Sequence, residues 1–147
     1  HHSNLNPEFY HKVNWFIHLL NVALVFWFVY LLSNKKILVA AIVSVLFGIH
    51  PLHVESVAWI SEFKDVLFSF FFLLALILYL NYQNKTNAIK YILYALCLIS
   101  FSASLLSKPA AVSFPLAIIA IDFYQKRKFN LKIETENSVR KKVKLRL

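Results

Sequence analysis

Glycine occurs once, at Gly48, cysteine once, at Cys97, and methionine not at all in the 147 residues. One glycine excludes every Gly-rich phosphate cradle, since GxxxxGK[ST] and GxGxxG each need two or three. One cysteine excludes an intrachain disulfide framework and a zinc ribbon, and says nothing of redox compartment. Acidic side chains are scarce too, 7 Asp and Glu against 16 Lys and Arg. With no methionine and a first residue of His1, the chain reads as an internal piece of a longer frame. What it has in excess is apolar side chain: 59% hydrophobic, with 14 phenylalanines, against about half in a soluble domain. A chain this short has no core large enough to hide that much apolar surface from water.

The excess falls in five runs: Trp15–Leu32, Ile37–Ile49, Val66–Tyr82, Ile89–Leu106 and Ala110–Tyr124. As helices the three longest span about 25–27 Å, close to the hydrocarbon thickness of a bilayer. The other two reach only about 20–22 Å. One ends at His50-Pro51 and the other follows Lys108-Pro109. Short spans of that kind fit helices that open into a cavity, where irregular backbone is tolerated. The expected fold is therefore all-α, a polytopic membrane protein of about five transmembrane helices. Residues 1–124 form the membrane domain and 125–147 a basic tail. No repeat or low-complexity segment is visible, and the number of spans excludes a secretory signal peptide.

Charge sets the orientation. Lys35 and Lys36 lie between the first two runs, and Lys85 and Lys90 between the third and fourth. Lys126, Arg127, Lys128, Lys132, Arg140, Lys141, Lys142, Lys144 and Arg146 follow the fifth. Thirteen of the 16 cations thus fall on one side, leaving Lys12, Lys64 and Lys108 on the other. An alternating bias of this size marks the first side as cytoplasmic. Tyr79, Tyr82, Tyr91, Tyr94, Tyr124, Trp15 and Trp59 sit near the expected interfaces, as an aromatic belt does. The tail, with Glu134 and Glu136 its only acids, then meets anionic lipid headgroups rather than nucleic acid.

Chemistry concentrates in the extracytoplasmic loop HPLHVESVAWISEFKD, His50 to Asp65. Pro51 ends the preceding helix, because the residue before a proline is pushed out of helical geometry. From Val54 the spacing reads as a short helix along the membrane surface, anchored by Trp59. Glu55 and Glu62, seven apart, share a face. Two carboxylates aimed at one place serve general acid/base work or hold a cation. The plainer reading is a solvated rim, with Glu62 beside Lys64 or Asp65. His50, His53 and Glu55 are ligand types for a transition metal. No HExxH motif or second Cys/His cluster completes such a site, so the histidines read rather as hydrogen-bonding helix-end caps, and no metal or cofactor is assigned. Lys108, at the tip of the turn LLSKPA where cations are few, sits beside a helix N-terminus, as an anion site for a lipid-linked phosphate would. Its plainer reading is a lysine snorkelling to the interface. Asn14, His18 and Asn21 lie within the first span, where polar groups usually face the bundle and join helices. Pro115 is expected to kink the fifth span, and Asp122 with Lys126 to form an i,i+4 pair. Cys97 reads as a small buried hydrophobe.

The run HPLHVESVAWISEFKDVLFSFFFLLALILYLNY, the later LLSKPAAVSFPLAIIAIDFY and the opening NPEFYHKVNWFIHLLNVALVF resemble one family. They look like the membrane part of the tetratricopeptide-repeat O-mannosyltransferase-like proteins, in the GT-C superfamily of glycosyltransferases. The resemblance covers residues 5–124. It implies transfer of a sugar, often mannose, from a polyprenyl-phosphate carrier to a protein or glycan acceptor on the extracytoplasmic face of a multi-pass membrane protein, in the bacterial inner membrane or its equivalent. It also implies tetratricopeptide repeats beyond the membrane domain. By position it puts Glu55, His50 and His53 in supporting catalytic roles and Lys108, Glu62, Lys64 and Asp65 at the substrate. It expects the general base on an acidic loop after a first span, both preceding this sequence, so that the fragment alone is inactive. Phe63 stands where the family tends to have arginine, and the likeness fades after Tyr124. A non-catalytic membrane scaffold of the same fold is the alternative. A transporter ranks last, since mid-span polar residues are few.

Overall fold

The computed structural model describes residues 7–50, 63–85 and 88–125, with side chains from residue 11 onward. Among the described residues every element is helical and there is no strand. Helix α1 runs Pro7–Leu32, α2 Ile37–Ile49, α3 Phe63–Gln83 and α4 Ile89–Ser107. A 3-10 turn, Pro109–Ser113, then leads into α5, residues 114–125.

The apolar runs became helices with small, explicable changes of boundary. Helix α1 begins eight residues before its apolar run, at Pro7, whose fixed φ and missing N–H suit a first helical position. Its reversal into α2 puts Asn34 and Lys35 in left-handed geometry, at φ 60° and 64°, a conformation asparagine tolerates better than lysine. The backbone enters the fifth run as a 3-10 turn, not as the kinked single helix expected around Pro115. Proline has no N–H to donate, so the α-helical bond from residue 115 back to Ala111 cannot form.

Three segments are long and apolar enough to cross a membrane: His11–Leu32, Phe63–Gln83 and Ile89–Ser107, of 22, 21 and 19 residues. At 1.5 Å per residue they extend about 33, 32 and 29 Å. The segments Ile37–Ile49 and Pro109–Gln125 are apolar but shorter. The exterior is apolar where that of a soluble bundle would be polar. Trp15, Phe16, Leu38, Ile42, Leu46, Tyr91, Ile99 and Leu106 point outward, while Asn14, Asn21, Ser44, Ser100 and Ser104 are buried. Such an apolar exterior aggregates in water and is at home in lipid. The chain has the architecture of an all-α membrane protein.

Residues 1–112 form one compact unit, in which α1 packs on α2 and α3, and α3 on α4. Small side chains let the helices close: Ala40 and Ser44 on α2, Ala75 on α3, and Cys97, Ser100 and Ser104 on α4 are all buried. Gly48 of α2 faces Val22 of α1, and a Cβ there would lie 3.1 Å from the valine Cγ2. In residues 113–147, the second unit, α5 carries Phe114 and Ile121 seven residues apart on one buried face.

Candidate functional site

Polar side chains on one face of α1 fix the level at which the other helices meet it. Asn14, His18 and Asn21 follow an i, i+4, i+7 spacing, so all three line one stripe. His18 Nε2 lies 3.2 Å from the carbonyl oxygen of Gly48, with its ring stacked on Phe47 at 6.0 Å. Three residues along, the Asn21 amide donates to the carbonyl of Val66 at 3.0 Å. Neighbouring turns of α1 thus hold the last turn of α2 and the first turn of α3, so both end at the same level. Ser104 of α4 donates to the Phe68 carbonyl at 3.3 Å and registers α4 against α3 there. Each acceptor is a helical carbonyl with a spare lone pair, which is how transmembrane helices are joined without apolar driving force. The bundle-facing reading of Asn14, His18 and Asn21 agrees with this placement.

The same clamps bring together the end of the unit where the loop chemistry was expected. His50 caps α2 in extended geometry, φ −64° and ψ 128°, as its position before Pro51 requires. Its side chain is exposed. Asp65 sits in the first turn of α3 and Lys108 caps α4, its N–H donating to the Ser104 carbonyl at 3.0 Å. Each charge suits its helix end, the carboxylate at an N-terminus and the ammonium at a C-terminus. Across 43 residues the two meet: Lys108 Nζ donates to Asp65 Oδ2 at 2.6 Å, with the side chains 42% and 32% exposed. Lys108 is therefore not a bare cation at a turn tip but one half of an ion pair open to solvent on one side. Lys64, next to Asp65, is exposed. His53, Glu55 and Glu62 lie outside the described residues, as does Lys126, the expected partner of Asp122.

In the sequence Asp65 stands with its neighbours Glu62 and Lys64, and Lys108 stands apart. A cation and an anion each at the mouth of an apolar hairpin, on the side poor in cations, was the available signal. An ammonium and carboxylate in this arrangement can exchange partners with an incoming anion, the lysine turning from Asp65 to the ligand at little desolvation cost. The five-residue 3-10 turn that follows Lys108 adds no helix N-terminus of useful length to that cation. Among the described residues no three His, Cys, Asp or Glu side chains come together as a metal site would need.

No protein-family model matches the chain, and no solved structure matches it. Over 113 residues, 76% of its length, it is 31% identical to the human protein O-mannosyl-transferase TMTC3. Over 85 residues, 58% of its length, it is 34% identical to the mouse protein O-mannosyl-transferase TMTC1. The matched stretches amount to only 12% and 9% of those proteins. The chain is thus similar, along most of its own length, to a small part of two much longer protein O-mannosyl-transferases.

Proposed function

We propose that the chain is part of a membrane glycosyltransferase of GT-C type that moves a sugar, mannose in the first instance, from a polyprenyl-phosphate carrier to a protein or other acceptor hydroxyl. The similarity to two protein O-mannosyl-transferases carries this reading. The active face is the one bearing His50, Asp65 and Lys108, which the distribution of cations makes extracytoplasmic.

The chemistry asked of that face is an inverting displacement. The acceptor oxygen forms a bond to the anomeric carbon as the bond from that carbon to the phosphate oxygen breaks. The bonding pair leaves with the lipid phosphate, and the hydroxyl proton passes to a carboxylate base. Lys108 is the cation for the leaving phosphate. Asp65 holds the ammonium in position when no carrier is bound. Lys64 and Glu62 border the sugar, and Glu55 with His50 and His53 orients the acceptor or the base.

The test uses membranes from cells expressing the gene that carries this sequence, supplied with polyprenyl-phosphate mannose and a peptide acceptor. Transfer should appear and should fall about a hundredfold in Lys108→Gln, a typical loss for one transition-state donor. Absence of transfer from any polyprenyl-phosphate sugar would sink the enzymatic reading in favour of the scaffold. Transfer that is indifferent to Lys108→Gln would remove Lys108 from the site.

A further inference from the structure

The opposite end of the α3–α4 hairpin carries a second charged feature that sugar transfer does not use. There Lys90 Nζ lies 4.8 Å from the ring centroid of Tyr82, a cation–π contact. The Tyr82 ring also neighbours those of Tyr94, at 5.5 Å, and Tyr79, at 6.2 Å. The contact holds the lysine, which is half-buried, at the hairpin's end. Lys85, in the connecting turn, is exposed. No Asp or Glu occurs between Asp65 and Asp122, so neither cation has a carboxylate neighbour along the hairpin. Lys35 and Lys36 mark the same end of the unit, in a link that also lacks acids, since none occurs between Glu8 and Glu55.

Beneath Lys90 the outer face of α4 is apolar and open. Tyr91, Tyr94 and Leu98, spaced i, i+3 and i+7, are 78%, 47% and 46% exposed. Cations at a membrane surface above a strip of exposed aromatic and aliphatic side chains match one kind of molecule, with an anionic head and an apolar tail. A soluble phosphate would leave the strip uncovered, and a zwitterionic lipid would bring a third cation to a site that already holds two.

We propose that the α3–α4 hairpin binds an anionic glycerophospholipid at this end, its phosphate between Lys85 and Lys90 and its acyl chain along Tyr91, Tyr94 and Leu98. The proposed site uses no residue of the basic tail and is independent of the proposed sugar transfer. Tyr82 acts by holding Lys90 over its ring. The bound lipid fixes the depth of the hairpin in its leaflet.

The experiment equilibrates the purified chain with mixed micelles of phosphatidylglycerol and phosphatidylcholine and measures retained lipid by native mass spectrometry. Phosphatidylglycerol should be retained in preference. Its affinity should fall about fivefold for each of Lys85→Gln and Lys90→Gln, which is the effect of about 1 kcal/mol per cation at an anionic surface. Lys90→Arg should keep the preference, and Tyr82→Leu should approach Lys90→Gln. A chain whose nine tail cations are all replaced by glutamine should still prefer phosphatidylglycerol. Lys85 is exposed, so its variant reports on binding without a change in packing. Equal retention of the two lipids, a preference untouched by Lys85→Gln, or one lost with the tail cations alone would each overturn the assignment.

Discussion

Replacing Asn21 separates two effects that the structure sets against each other. Its amide nitrogen donates to the Val66 carbonyl at 3.0 Å, joining α1 to α3. Its Oδ1 is buried without a hydrogen-bond partner among the described residues, in a side chain only 1% exposed. An interhelical hydrogen bond in a membrane contributes about 0.6 kcal/mol on average and up to about 1.7. An orphaned buried acceptor costs about 1–3 kcal/mol. Asn21→Ala removes bond and orphan together but leaves a void, so the net loss should be roughly 1–3 kcal/mol. Asn21→Leu keeps the branching of the side chain and fills the site with carbon. Because Val66 retains its own helical hydrogen bond, this variant should stay within about 1 kcal/mol of the parent. Asn21→Asp buries an unpaired carboxylate against a carbonyl and should cost more than about 3 kcal/mol at neutral pH. Reversible unfolding in mixed micelles with increasing dodecyl sulfate, followed by circular dichroism, measures all three. If Asn21→Leu proved as damaging as Asn21→Ala, the hydrogen bond would outweigh the orphaned oxygen and the reasoning would fail. Tolerance of Asn21→Asp would mean that water reaches the site.

A double-mutant cycle on Asp65→Asn and Lys108→Gln should give a coupling of about 1 kcal/mol or less, since both side chains are about a third or more exposed; a value near zero in the same unfolding assay would mean that the pair does not hold α3 to α4. Gly48→Leu should destabilise by about 1–3 kcal/mol, because even a Cβ would stand 3.1 Å from Val22 and a full side chain must push α2 off His18; an unchanged unfolding midpoint would contradict that close approach. For topology, single cysteines at positions 35, 85 and 64 in a Cys97→Ser background should label from one membrane face at 35 and 85 and from the other at 64. Labelling of all three from one face would refute the alternating arrangement of the spans.

How much of this was legible beforehand depends on whether the cause is local. The helices were, because a run of apolar residues with one glycine in the whole chain leaves the backbone little alternative in lipid. Their boundaries were less so. Pro7 starts α1 inside a polar segment that composition alone assigns to a loop, and Pro115 sets a 3-10 entry through the one N–H it lacks. The stripe of Asn14, His18 and Asn21 was visible as a period, but the carbonyls it would meet were not. Gly48 and Val66 are apolar in sequence, and only their backbone oxygens take part. The ion pair was hidden for a different reason. Asp65 and Lys108 are 43 residues apart, and each had a nearer polar neighbour or a simpler surface role to account for it. Adjacency of α3 and α4 is what selects between those roles. That adjacency follows from the turn between them and from small side chains at Ala75, Cys97, Ser100 and Ser104, a pattern readable only once the two faces are known to meet. The charged residues of a membrane protein are few, and a bundle has just two wet ends. Fixing which helices are neighbours therefore narrows which charges can meet. Here it brings Asp65 and Lys108 together at one end of the hairpin and places Lys85 and Lys90 at the other, on a stretch of sequence that holds no acid between Asp65 and Asp122.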